Sequence, residues 1–136
     1  MLRKLKFLLP ARRAYRSLRD EFSYLTYQRR KPDSDMCNLC NLSDYDNNVV
    51  ADSDDWAVIN NKFPYSKWDW QPVRDHLMLV PKRHLVRLDE VYKKEWKTFG
   101  EIVSSYDNKG YSVYLRSQKN PVKSVAHLHW HLIKVD

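Results

Sequence analysis

The chain has 136 residues, 43% of them hydrophobic and 13% aromatic, enough to bury one core without disulfide staples. Its two glycines, Gly100 and Gly110, exclude a glycine-rich phosphate loop, and with it the P-loop and dinucleotide-binding fingerprints. No apolar run reaches the roughly 18–20 residues that span a bilayer. The net charge of +7 is unevenly placed: residues 1–31 hold ten Lys or Arg against two acidic residues, +8, which leaves −1 for the rest. Any basic surface therefore belongs to that extension, and the domain behind it is close to neutral.

Residues 1–30 read as a basic amphipathic helix. Pro10 suits a helix start, and Ala11, Ala14, Tyr15, Leu18, Phe22 and Leu25 recur at three- and four-residue steps. Such a segment packs on the domain through its apolar stripe, contacts nucleic acid, lies on a membrane surface or targets an organelle. Asp20 and Glu21 count against a transit peptide. Lys31 to Asp35 reads as a linker, so residues 1–35 form an extension and 36–136 the domain. Cys37 and Cys40 are the only cysteines. A disulfide across so small a loop stabilises little, so the pair reads as half of a metal site or as a redox pair in a reducing, cytoplasmic setting.

Asp44 to Asn48 is a polar turn. Val49–Ala51 and Trp56–Ile59 read as strands around a turn at Asp52–Asp55. Phe63 to Arg74, with Pro64, Trp68, Trp70 and Pro72, is too irregular for an element and reads as a long loop of the kind that carries function. His76–Val80 is a strand stopped by Pro81. Leu88, Val91, Tyr92, Trp96, Phe99 and Val103 mark one helix ending near Asn108–Gly110. Tyr111–Leu115 and Val125–Val135 are the last strands. The sum is an α+β domain, mostly antiparallel sheet with one long helix.

Three of five histidines alternate with apolar residues: His127, Leu128, His129, Trp130, His131, Leu132. That period of two predicts a strand with the imidazoles on one face and the apolar residues toward a core. Positions two apart on a strand are about 6.6 Å apart and positions four apart about 13 Å, whereas metal–nitrogen bonds are about 2 Å. One ion could bridge neighbours but hardly all three, and at least one imidazole is left for other work. A neutral imidazole is a good nucleophile near neutral pH, and phosphate chemistry suits it.

The segment Ser124-Val-Ala-His-Leu-His-Trp-His-Leu-Ile133 resembles the signature of the histidine triad (HIT) family of nucleotide hydrolases and transferases. The resemblance extends to Asn61-Lys-Phe-Pro-Tyr65, to His76-Leu-Met-Leu-Val-Pro-Lys-Arg-His84, and to Cys37-Asn-Leu-Cys40, which sits where bacterial-type members carry a zinc pair. It implies that His129 attacks the α-phosphorus of a nucleotide, with His131 and the nearby backbone stabilising the oxyanion and Ser124 near the leaving group. It also implies a nucleotide pocket at Ile59, Asn61 and His76 and a structural zinc on Cys37, Cys40, His84 and His127; Lys123, outside the family pattern, adds an attractive charge for phosphate. No organic cofactor is implied, and a homodimer through residues 88–107 and 111–115 is. Three features depart from the pattern. Asn120-Pro-Val-Lys123 replaces a glycine-rich stretch, Asp75 replaces glycine, and the chain stops at Asp136, so no C-terminal specificity segment is expected. Polynucleotide-end processing, a nucleotide-binding protein without turnover and a zinc hydrolase are the alternative readings.

Overall fold

The computed structural model describes residues 16–30, 37–40 and 48–136. Pro10, Ala11, Ala14, Tyr15, the proposed linker, the boundary near Met36 and most of the turn at 44–48 lie outside them. Helix α1 (Leu18–Arg30) is followed by strands β1 (Val49–Asp52), β2 (Trp56–Asn60), β3 (Lys67–Trp68) and β4 (Gln71–Pro81). Helix α2 (Lys93–Asp107) and strands β5 (Ser112–Tyr114) and β6 (Trp130–Val135) complete the chain. The sheet is antiparallel throughout, in the order β1-β2-β4-β6-β5, with β3 paired to β4 alone.

The alternation of β2, β4 and β6 builds two layers. Trp56, Val58, Leu77, Leu79, Leu128, Trp130 and Leu132 form one buried cluster, joined from α2 by Tyr106 and the partly buried Phe99, Ile102 and Val103. Each fully buried side chain of this size contributes roughly 1.5–3 kcal/mol. The opposite face carries a smaller cluster of Leu39, Ala57, Ile59, Met78 and Val80, and on this face the histidines gather. Glu95 fastens α2 to the sheet: its carboxylate accepts from the Tyr92 backbone N–H at 2.8 Å and from Arg83 Nη2 at 2.7 Å. Its carbonyl accepts the Trp56 indole N–H at 2.9 Å.

The structure corrects the sequence reading at four elements. The stretch 63–74 is not all loop: Lys67↔Pro72 and Trp68↔Gln71 pair across a two-residue turn, and β4 starts at Gln71 instead of His76. Asp69 and Trp70 both take positive φ, 52° and 62°, the backbone of a tight hairpin that propensity alone does not suggest for Trp. Leu88–Glu90 is a separate 3-10 turn, and α2 begins at Lys93, so Leu88 and Tyr92 stay exposed. Ladder pairing of the last strand begins at Trp130, opposite Leu79, two residues before β4 ends at Pro81, and residues 125–129 make no ladder pair. There Leu128 N–H donates to the Leu85 carbonyl at 2.7 Å. In α1, Leu18 and Phe22 face solvent. Of the expected stripe Leu25 is half-buried and lines the cavity, and the helix otherwise meets the domain through Glu21, Tyr24 and Tyr27, with Tyr24 and Tyr27 each 5.3 Å from the Phe63 ring.

Candidate active site and metal cluster

Side-chain alternation persists through residues 127–131 although the ladder does not, so Leu128 and Trp130 enter the α2 layer while the three histidines point the other way. They then divide into two sites. His127, fully buried, turns Nδ1 toward Cys37 and Cys40, 3.5 Å from each sulfur, and toward His84 Nδ1 at 3.2 Å. Cys40 Sγ is 3.1 Å from His84 Nδ1, and the four ligand atoms lie within 4.8 Å of one another. Bond lengths of about 2.0–2.3 Å place the donors of a tetrahedral zinc about 3.3–3.8 Å apart, so these four residues fit such an ion. The far nitrogen of His127, Nε2, lies 2.9 Å from the Pro81 carbonyl. Donating there leaves Nδ1 with its lone pair toward the cluster, the outer-sphere arrangement of a metal-binding imidazole. Partial burial and the adjacent Cys37 raise the Cys40 thiol to about 11, so a bound cation would be needed to hold Cys40 as a thiolate.

His129 uses its Nδ1 differently, donating at 2.9 Å to the carbonyl of His127. That bond fixes the tautomer in which Nε2 carries the lone pair. Burial, opposed by this bond and reinforced by Lys123 and Arg116, lowers its pKa to about 4, so the ring is neutral near pH 7 and available as a nucleophile. Next to it a relay of hydrogen bonds sets His131. The Tyr65 backbone N–H donates to His76 Nδ1 at 3.0 Å, so His76 carries its proton on Nε2. That proton points to His131 Nδ1 at 2.8 Å, which leaves His131 with its own proton on Nε2. Burial also keeps both rings neutral, lowering His76 to about 3 and His131 further.

These groups face a cavity of about 270 Å³ whose lining includes Asn61, Met78, Lys123, Ser124, His129 and His131. Asn61 Oδ1 accepts the Phe63 N–H at 2.8 Å, which turns its Nδ2 toward His76 Nε2, 3.3 Å away, at the wall of the cavity. Lys123 Nζ is buried with no hydrogen-bond partner among the described residues. Ser124 Oγ is bonded to the Tyr24 hydroxyl of α1. Ile59 is fully buried in the layer behind and does not line the cavity; Leu25, Leu39, Met78, Val122 and Val125 supply its apolar wall. Trp68 does not line it; the ring stacks on Tyr65 at 5.9 Å and lies 5.2 Å from Tyr114. Trp70 is 97% exposed.

The sequence reading missed the roof of the pocket and one cation. Arg16, Glu21, Tyr24 and Tyr27 line the cavity from the N-terminal side. Arg16 donates from Nε to the Phe63 carbonyl at 2.6 Å and pairs with the buried Glu21 at 3.2 Å. Arg116 enters from the end of β5, its Nη1 2.7 Å from the Tyr65 hydroxyl and 3.2 Å from His131 Nε2. A positive residue following a strand that pairs with the triad strand was a usable signal for Arg116. Nothing in the apolar periodicity pointed to Arg16 or Glu21.

An antiparallel sheet backed by one helix, with paired strand histidines over a buried pocket, defines a class that comparison makes specific. The HIT domain family model matches residues 43–136, and the chain belongs to that family. The fold is similar to a HIT family hydrolase from Clostridium thermocellum (TM-score 0.57, 17% identity, covering 76% of this chain and 93% of that one). It is similar also to a Zn-bound histidine triad family protein from Mycobacterium smegmatis (0.55, 16%, 74% and 75%). A third likeness is to a hypothetical histidine triad nucleotide-binding protein from Sulfolobus tokodaii (0.55, 19%, 73% and 68%). A search of curated proteins finds no match.

Proposed function

We propose that this protein is a nucleotide phosphate hydrolase or nucleotidyl transferase that works through a covalent intermediate on His129. The observation that carries the reading is the Nδ1 bond to the His127 carbonyl, which leaves a neutral Nε2 lone pair beside the cavity. In the first half-reaction Nε2 forms a bond to the α-phosphorus as the bond from phosphorus to the leaving group breaks, and that group departs with the electron pair. In the second, water or another acceptor forms the new bond to phosphorus, the P–N bond breaks, and the acceptor's proton passes to solvent. The His131 Nε2–H stabilises the charge on the non-bridging oxygens. Asn61 and His76 serve the nucleoside side of the pocket, His76 through His131. Lys123, whose Nζ has no hydrogen-bond partner among the described residues, offers its ammonium to phosphate, and Ser124 stands near the leaving group. Residues 36–136 constitute the catalytic domain, and residues 1–35 its extension.

Cys37, Cys40, His84 and His127 would hold a structural zinc, tying the domain's start to the ends of β4 and β6; the ion supplies rigidity and takes no part in the reaction. The thiols are free, which suits a reducing, cytoplasmic setting. The exposed edge at β5, with Val113 and Trp96 each 36% exposed, supports a homodimer through that strand and α2. Among the described residues no helix is long and apolar enough to cross a membrane. The +8 charge of residues 1–31 favours a second reading, removal of a nucleotidyl group from a polynucleotide end, in which that segment contacts the strand.

The test is hydrolysis of an adenosine phosphoramidate by the wild type and His129→Ala, with zinc content measured on the same samples. Activity lost at unchanged zinc and fold supports the reading, and equal activity in both proteins overturns it.

A further inference from the structure

Arg116 stands in an electrostatic position that the fold alone does not require. Its guanidinium is half-buried, lies 5.6 Å from both the Tyr65 and Tyr114 ring centroids, and has no carboxylate partner among the described residues. Its Nη1 lies 3.2 Å from His131 Nε2, which looks like a hydrogen bond until the proton on His131 is traced. The relay from Tyr65 N–H through His76 puts that proton on Nε2, and a guanidinium nitrogen only donates. Two donors are thus held side by side without an acceptor between them. One Nη1 hydrogen is taken by the Tyr65 hydroxyl at 2.7 Å; the other and the His131 Nε2–H converge on one place, which an anionic acceptor would satisfy from both sides.

We propose that Arg116 is a catalytic residue, its Nη1–H and the His131 Nε2–H jointly gripping the non-bridging oxygens of the α-phosphate. This rests on the nucleotide reading of the pocket. The ligand class that follows is a nucleoside 5′-phosphate group with at least one full negative charge on those oxygens. Neutral nucleosides gain nothing from the pair. Because the guanidinium is held by Tyr65 and flanked by two rings, little of its freedom remains to be lost on binding, so the contact acts on the transition state as well as on the bound nucleotide.

The test compares AMP with adenosine as equilibrium ligands, by calorimetry, on the wild type, Arg116→Met and Arg116→Lys. Losing a hydrogen bond to a charged group weakens binding about 10- to 100-fold. The expected result is that loss for AMP in Arg116→Met, a smaller loss in Arg116→Lys, and unchanged adenosine affinity in both. Equal AMP binding in all three proteins, or equal losses for AMP and adenosine, overturns the proposal, the second by showing that Arg116 only shapes the pocket. A melting curve on each variant checks the fold, and the lysine variant retains a cation should methionine not fold. Binding is read without turnover, so the covalent mechanism fails separately, through an active His129→Ala, while the AMP-to-adenosine split still reports on Arg116.

Discussion

Replacing His76 tests the tautomer relay and leaves His129, the proposed nucleophile, untouched. In His76→Phe the ring remains but both nitrogens go, so Tyr65 N–H loses its acceptor and His131 Nδ1 loses its donor. With nothing donating to Nδ1, His131 is free to carry its proton there and turn the Nε2 lone pair toward Arg116, 3.2 Å away. The two donors then satisfy each other, and the phosphate loses one preorganised donor. Removing a single donor of this kind costs roughly 10²–10³ in kcat, and KM should change little if the loss is felt mainly in the transition state. The buried Tyr65 N–H left unsatisfied costs about 1–3 kcal/mol of stability, visible as a melting point lower by several degrees. The assay is kcat and KM on an adenosine phosphoramidate, combined with long-range 15N–1H NMR that reports which His131 nitrogen is protonated. The result that refutes the reasoning is a wild-type His131 already protonated at Nδ1, or a His76→Phe variant with wild-type kcat despite a switched tautomer.

The remaining predictions concern the frame around the site. Cys40→Ser should copurify with less zinc than the wild type's expected one equivalent and melt earlier; elemental analysis beside calorimetry reads both, and wild-type zinc in the variant would exclude Cys40 as a ligand. Glu95→Gln should lose about 0.5–2 kcal/mol at pH 7 through its weakened cap on α2. The Arg83 hydrogen bond holds the Glu95 carboxyl below the usual range, so its contribution is present above the unfolded value near 4.3 and fades as pH falls through the lower native value. The gap between wild type and variant in denaturant titrations should therefore close below about pH 4. Val113→Lys, at the exposed edge of β5, should shift sedimentation from dimer to monomer; a wild type already monomeric would remove the dimer proposal.

The triad and the cysteine pair were legible because their chemistry is written in spacing. Alternation told which way His127, His129 and His131 point even where the ladder stops short of them, since side-chain direction depends on local extended backbone and not on a partner strand. Spacing indicated that one ion could not take all three imidazoles; what it could not show is which way each ring turns, His127 Nδ1 toward Cys37, Cys40 and His84 and His129 Nδ1 toward the His127 carbonyl. The hairpin at Asp69–Trp70 was hidden by residue type: two left-handed residues without glycine contradict propensity, and only strand pairing on both sides compensates for that. The face of α1 was misjudged for a similar reason. Leu18 and Phe22 carry the apolar period, yet the Arg16–Glu21 pair and two tyrosines against Phe63 decide how the helix sits. A pattern of hydrophobic residues does not register such polar anchoring.

His127 joins the two halves of the site in a way that neither half requires alone. Its ring lies in the Cys37–Cys40–His84 cluster and is braced on Pro81, while its carbonyl accepts from His129 Nδ1. The orientation of that carbonyl is set by the backbone between two fixed points, the ring of His127 and the Leu128 amide held by Leu85. Whatever holds the cluster together thus also holds the acceptor that selects the His129 tautomer. A residue that merely filled space at 127 would leave only the Leu128 amide to orient that peptide unit, and the hold on the His129 tautomer that the proposed attack by Nε2 requires would be weaker. The five histidines accordingly work as two braced sets. His84 and His127 meet in the cysteine cluster on one side, His76 sets the proton of His131 on the other, and His129 lies between them with the lone pair of Nε2, the proposed nucleophile, set by the Nδ1 bond at its opposite edge.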